Sequence, residues 1–184
     1  MSLTLRPPLP DDETVLRRLH TELEADGFTF LHADGTWDEV LEQARRESAG
    51  TDLPPGRVRA DFLVAEVDGV PVGRVSIRYA LNDFLREVGG HVGYGVAPAH
   101  RRRGYATEML RQSVERLAEA GVERVLVTCD DDNVGSAAVI EACGGVLEDV
   151  RPVEGESPKR RYWIDASQTE RSTQTSRWSL LGNG

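Results

Sequence analysis

The sequence predicts an α/β (α+β) fold, a sheet with helices packed against it. Three observations carry this. Short β-branched runs such as Arg124 to Cys129 alternate with segments of helical periodicity. Asp68-Gly69 between Phe62–Val67 and Val70–Tyr79 is a two-residue hairpin signal. Gly104 to Ala120 carries an apolar stripe of Ala106, Met109, Leu110, Val114 and Leu117, with Gly121 as its stop.

Taken in order, Leu3 to Arg6 reads as a strand stopped by Pro7, Pro8 and Pro10. Asp11 or Asp12 is placed to cap a helix with Val15, Leu16, Leu19 and Leu23 at helical spacing, and Gly27 ends it. A second helix follows Thr36, with Trp37, Val40, Leu41 and Ala44 on one face, before a surface loop from Gly50 to Gly56. After the hairpin, Leu81 to Gly90 reads as a loop and His91 to Ala97 as a strand closed by Pro98. Beyond the long helix and the strand Arg124 to Cys129, Asn133 to Cys143 reads as a short helix ended by Gly144-Gly145. Val146 to Val150 and Arg160 to Ile164 are the last strands. Residues 1–165 form the expected domain. Residues 166–184 form a polar Ser/Thr/Gln/Arg tail expected to be disordered, although Trp178 and Leu180-Leu181 are able to tack it onto the domain or a partner.

Length and charge narrow the function. A chain of 184 residues can bury a core without metal or disulfide staples. Its net charge of −9 argues against a dedicated nucleic-acid binder. No apolar run approaches the roughly 20 residues that cross a bilayer, and MSLTLRPPLPDD lacks the apolar region of a secretory signal. The expectation is a cytoplasmic protein, with no nucleic-acid and no membrane partner. Cys129 and Cys143 supply neither a disulfide framework nor a Cys zinc site, and His20, His32, His91 and His100 show no metal-ligand spacing, so no metal is expected.

The chemistry-bearing stretch is HVGYGVAPAHRRRGYA, His91 to Ala106. A strand ends at Pro98, Arg101, Arg102 and Arg103 follow, and a helix begins near Gly104. Helix starts expose unpaired N–H groups and the positive end of the macrodipole, which together attract phosphate. Gly104 and the small Ala106 allow close approach of an anion to the backbone. The plainer alternative is a solvated basic turn. Neither the dinucleotide GxGxxG nor the P-loop pattern occurs.

Val96-x-Pro98-x-x-Arg101-x-x-Gly104-x-Ala106 resembles the pyrophosphate motif R/Q-x-x-G-x-G/A of the GCN5-related N-acetyltransferase (GNAT) superfamily. Asn133, Ser136 and Glu141 fit that family's N-x-x-A/S-x-x-x-x-E pattern, and the order of elements matches over roughly residues 3 to 165. The resemblance implies a central mixed, mostly antiparallel sheet flanked by helices. It implies acetyl-CoA as co-substrate, its pyrophosphate on the amides of Arg102, Arg103, Gly104, Tyr105 and Ala106, with Arg101 marking the loop's start. Tyr94, Gly95 and Val96 would splay from Arg124–Cys129 and pair with the pantetheine arm. Gly93 and Gly95 suit that close approach or mark a bulge. Asn133 would reach the pantetheine or the leaving thiol, with Ser136 beside it.

The implied reaction is direct attack of a primary amine on the thioester in a ternary complex. Two positions depart from the family: Ile140 stands where many members have a tyrosine acid, and Gly145 where an aromatic is usual. A non-catalytic acyl-CoA-binding module is therefore the main alternative, and an interaction protein recruiting through the Trp178 tail a further one. The remaining candidates for proton transfer are His91, as a base or as a backbone-bonded strand residue, and Tyr94, catalytic or core. Tyr105, at the helix start, is expected to pack beside the cofactor rather than to catalyse. Asp83 and Glu87 are candidates for binding a cationic acceptor or plain loop residues, and Tyr162 and Trp163 for lining its pocket or the core. The acceptor is a small-molecule or peptide amine: a polyamine, an aminoglycoside, an amino acid or a protein N-terminus. A homodimer through a sheet edge stays open.

Overall fold

The computed structural model describes residues 2–31 and 35–167. Strand β1, Leu3–Arg6, ends at Pro7-Pro8, where the ladder loses its donors. Helix α1, Glu13–Glu24, buries Leu16, Leu19 and Leu23. Its expected acidic cap is absent, because the Asp12 carboxylate is used elsewhere. It accepts from the Arg6 guanidinium at 2.7 and 2.9 Å and from the Leu9 N–H at 2.7 Å, tying β1 to the turn before the helix. Helix α2, Trp37–Ala49, opens with a capping box in which Thr36 accepts from Glu39 N–H and Glu39 accepts from Thr36 N–H.

Strands β2, Ala60–Val67, and β3, Val70–Arg78, join through Asp68 and Gly69 at φ 51° and 78°. Positive φ at both central residues gives the turn the twist a tight hairpin needs. The segment expected to be a loop before β4 contains a helical turn, Leu85–Gly89. A local side chain and one from the preceding strand build it: Asn82 Oδ1 accepts from Leu85 N–H at 2.8 Å, and Arg78 donates to the carbonyls of Gly89 and Gly90. Then come β4 (Val92–Val96), α3 (Tyr105–Glu119), β5 (Arg124–Asp130), α4 (Val134–Ala142), β6 (Val146–Arg151) and β7 (Lys159–Asp165).

The strands form one sheet in the order β1-β2-β3-β4-β5-β7-β6, antiparallel throughout except for the parallel pair β4–β5. Alternation divides the core between two faces. Leu63, Val75, Ile77, Val92 and Val96 pack with Met109, Leu110 and Val114 of α3, whereas Phe62 and Val64 pack with Leu16, Leu19 and Leu23 of α1 and Val40 of α2. The parallel pair is the sheet's weak seam. Among the described residues, β4 meets β5 only at Val92↔Val127, with His91 N–H donating to Leu126 O at 2.7 Å. Beyond Val92 the two strands part.

Ala166 is fully buried, its N–H donating to Glu123 O at 2.9 Å. Trp178, Leu180 and Leu181 lie outside the described residues. Among those residues no helix is long and apolar enough to cross a membrane, and no group of three or more His, Cys, Asp or Glu is placed to hold a metal ion.

Candidate functional site

A cleft of about 460 Å³ opens where β4 leaves β5, floored by Tyr94–Val96 and walled by the starts of α3 and α4. The approach to α3 determines its character. Arg102 at φ 62° and Gly104 at φ 80° turn the chain sharply, and α3 begins at the next residue. Among the described residues, the backbone N–H groups of Arg102 to Thr107 find no acceptor in the protein. Orphan amides at the positive end of a 15-residue helix form an anion cradle. Arg101 supports this loop from behind, its Nε donating to Val96 O at 3.1 Å and its Nη2 pairing with Asp26 at 2.6 Å.

The opposite wall is the start of α4. Asn133 Oδ1 accepts from Ser136 N–H at 3.0 Å, capping the helix while its amide group faces the cleft. The Ser136 hydroxyl lies 2.9 Å from the Tyr94 phenol, which rises from β4 on the same face. Burial holds the Tyr94 phenol protonated well above the usual tyrosine range, against a smaller opposing effect of Ser136. Burial also pushes the nearby Cys129 thiol up to about 11, so neither group is an anion at neutral pH. A larger recess, about 670 Å³, lies between α2 and β2 and contains none of the motif residues.

A family model for the acetyltransferase (GNAT) domain matches residues 2–146. The chain belongs to the GNAT acetyltransferase family. The uncharacterized N-acetyltransferase YjdG of Bacillus subtilis is 28% identical over 74 residues, a stretch covering 40% of this chain and 40% of that relative. Among solved structures, Mycobacterium smegmatis RimJ in complex with CoA-disulfide superposes with a TM-score of 0.69 at 22% identity, covering 95% of this chain and 90% of that one. The Salmonella typhimurium protein yncA, solved with its cofactor acetyl-CoA, gives 0.65 at 15% identity over 90% and 95%. At these identities the structural likeness is one of fold. The mixed, mostly antiparallel sheet with flanking helices is the GNAT fold.

The two departures from the GNAT pattern are physically linked. Ile140 is fully buried in the core beneath α4. A Cβ on Gly145 would stand 2.5 Å from Ile140 Cγ2 and 2.8 Å from Ile140 O, so this helix end admits no aromatic at 145. Gly93 and Gly95 pair with β3 without a register shift, and Gly95 lines the cleft. A Cβ at 95 would strike the Phe28 ring at 2.5 Å, and one at 93 would face Arg78, so both glycines make room for side chains on the α1/α2 face.

His91 is not brought to the cleft. It is 5% exposed, and its Nδ1 accepts from Leu126 N–H at 2.9 Å, so the ring substitutes for a strand hydrogen bond. Burial, with Arg86 and Arg78 adding repulsion, lowers its pKa from 6.5 to about 4. A depressed folded-state pKa means stability that is fully present above the unfolded value and lost as pH falls through the folded one. We expect the urea midpoint to fall between pH 6.5 and 4. In His91→Ala this fall should shrink, and the variant should lose about 1–3 kcal/mol at pH 7 because Leu126 N–H is left unpaired. An unchanged midpoint would place the ring in a different hydrogen-bonding state.

Glu87 is paired with Arg151, and Asp83 is exposed. Tyr162 is buried and donates to Glu141 at 3.2 Å, and Trp163 lies under the Arg124 guanidinium at 4.7 Å; neither lines the cleft. Sequence reasoning named the stretch Phe28 to Trp37 for the acceptor pocket but missed Asp26 at the cleft, and Arg74 and Arg78 on the covered face of β3. The visible signal was Arg74, Ser76 and Arg78 at alternate positions of an otherwise apolar strand, which puts charge on a covered face.

Proposed function

We propose that residues 1–165 act as an N-acetyltransferase domain that moves an acetyl group from acetyl-CoA to a primary amine by direct attack in a ternary complex. The observation that carries this reading is the row of unpaired amides from Arg102 to Thr107 at the mouth of a cleft that runs along the parted end of β4. The residues suit the group: the amides and Gly104 for the pyrophosphate, Tyr94–Val96 for the amide-bearing pantetheine arm, and Asn133 and Ser136 for its thiol end. When bound, acetyl-CoA supplies the activated acyl carbon. A bond from the amine nitrogen to that carbon forms as the carbon–sulfur bond breaks, the amine loses a proton and the sulfur gains one.

Tyr94 is the proton donor in this scheme, because its phenol is protonated at neutral pH and reaches Ser136 at the start of α4, whereas Ile140, at the position where many members have a tyrosine, has no proton to give. His91 serves the strand pair, and the amine is deprotonated by water. The test is calorimetric titration of acetyl-CoA, with adenosine as control, followed by thiol release over an amine panel. One-site saturable binding with amine-dependent thiol release is expected. Binding without turnover of any amine would favour an acyl-CoA-binding module, for which Ile140 is the motivating residue. No binding would leave the basic turn as a turn.

A further inference from the structure

On the face of the sheet covered by α1 and α2, β3 presents Arg74, Ser76 and Arg78, with Arg74 opposite Gly95 and Ser76 opposite Gly93 of β4. Arg74 is 2% exposed. Its guanidinium stands 4.5 Å from the Phe28 ring and 5.7 Å from that of Phe62, and it donates to Gly93 O at 3.5 Å and to Thr29 O. Its Nε is buried without a partner. Arg78 approaches the same point from the other side. Its Nη1 donates to Gly89 O at 3.0 Å and Gly90 O at 3.3 Å, and a Cβ on Gly93 would lie 3.6 Å from it.

Two guanidiniums therefore converge on Gly93, one residue beyond the point where β4 leaves β5. Among the described residues, neither forms an ion pair with a carboxylate. A buried cation without a counter-ion is costly, and both groups register it. Burial, with repulsion from Arg78, pulls Arg74 down to about 9, and burial with Arg57 lowers Arg78 against a smaller pull from Glu47.

Arg78 and Ser76 also line a cavity of about 340 Å³, together with Arg57 and Asn82. Its one lining carboxylate, Glu47, is engaged by Gln43 at 3.0 Å and Arg57 at 4.0 Å. This volume suits a small molecule. The acyl-CoA cleft is lined by Tyr94–Val96 of β4, and this cavity by Ser76, which pairs with Gly93 next to Tyr94; the two share no lining residue, so an occupant of one would not overlap an occupant of the other.

We propose that this cavity receives the acceptor and selects an amine that carries an anionic group, carboxylate or phosphate in type, close to the nitrogen. Arg78 contacts the anion. Arg74 is a positioning residue that holds Thr29 and Gly93 and contributes its charge. Polycations are disfavoured, since they would enter beside the uncompensated Arg78 guanidinium. This inference rests on the transferase reading for its chemistry, not for the binding it predicts.

The test begins with calorimetric binding of acetyl-CoA, which decides the transferase reading by itself. Thiol release is then compared across matched series: α-amino acids, their carboxamides, their 1-aminoalkylphosphonate counterparts, and spermidine. The acids should exceed the carboxamides at least tenfold in kcat/KM, and the ratio of carboxylate to phosphonate identifies the anion. Arg78→Gln should bring the acid-to-amide ratio near one with the acetyl-CoA Kd within twofold of wild type, and Arg78→Lys should retain part of the ratio. A purely structural role for Arg78 would lower acids and amides alike. If acetyl-CoA binds and amides or spermidine are used as well as the acids, or no acid is turned over or bound, the anion cavity is overturned. If acetyl-CoA does not bind, the transferase reading fails instead, and titration of the same acids against the free protein still decides the cavity.

Discussion

Gly104→Val is expected to abolish saturable acetyl-CoA binding while the protein stays folded. Gly104 sits at φ 80°, immediately before α3, and a Cβ there would meet no atom within 4 Å. The substitution therefore creates no clash in the folded chain. Its cost is the left-handed backbone, of the order of 1–2 kcal/mol for a residue with a side chain and more for a β-branched one. In a protein of this size that is a loss of a few degrees in Tm. The effect on binding is far larger, because relieving the strain rotates the peptide planes that aim the loop amides, and the isopropyl group projects into the space the anion would take. Calorimetry should show at least a hundredfold rise in Kd, with circular dichroism unchanged. Gly104→Ala should fall between the two. Wild-type affinity in the valine variant would remove the loop from the cofactor site.

Tyr94→Phe should lower kcat about a hundredfold, the usual scale of one positioned proton donor, with little change in the Kd of acetyl-CoA. Its phenol is tied only to Ser136, at 2.9 Å, so losing the hydroxyl leaves the ring packed and the fold intact. The pH profile separates catalysis from packing. A donor must be protonated, so activity is lost as pH rises through its pKa, and burial has moved that pKa above the ordinary tyrosine range. The wild type should hold its kcat through neutral and mildly alkaline pH and lose it only above the usual tyrosine range. In the phenylalanine variant the residual rate should lack that limb. An unchanged kcat would return the proton to water and make Tyr94 a packing residue.

Much of the architecture was legible in the chain because it depends on local chemistry. Asp68-Gly69 specifies its hairpin wherever it sits, the stripe from Ala106 to Leu117 makes an amphipathic helix, and a left-handed glycine before a helix start leaves amides unpaired. Asn133 capping Ser136 follows from the same near-neighbour logic. The errors share a different cause. Asp12 was a good cap by type and position, yet Arg6 claimed its carboxylate from a neighbouring strand. The stretch from Leu81 to Gly90 looked like loop because its helical turn is held by Arg78, on a strand that precedes it.

His91 looked like a candidate base because a histidine on the motif strand has suitable intrinsic chemistry. Its actual state is set by Leu126, 35 positions away, whose N–H its ring accepts. The same holds for the acceptor side. Nothing in the run VPVGRVSIR says that its two arginines will face a pair of glycines on the next strand without a carboxylate between them. By itself, then, the sequence determined most of the elements, their order, the family resemblance and the left-handed turn that leaves amides unpaired before α3, all products of interactions within a few residues. Tertiary structure alone decided which polar groups are already satisfied and which remain uncompensated, because burial and pairing are settled by residues that meet only when the strands do.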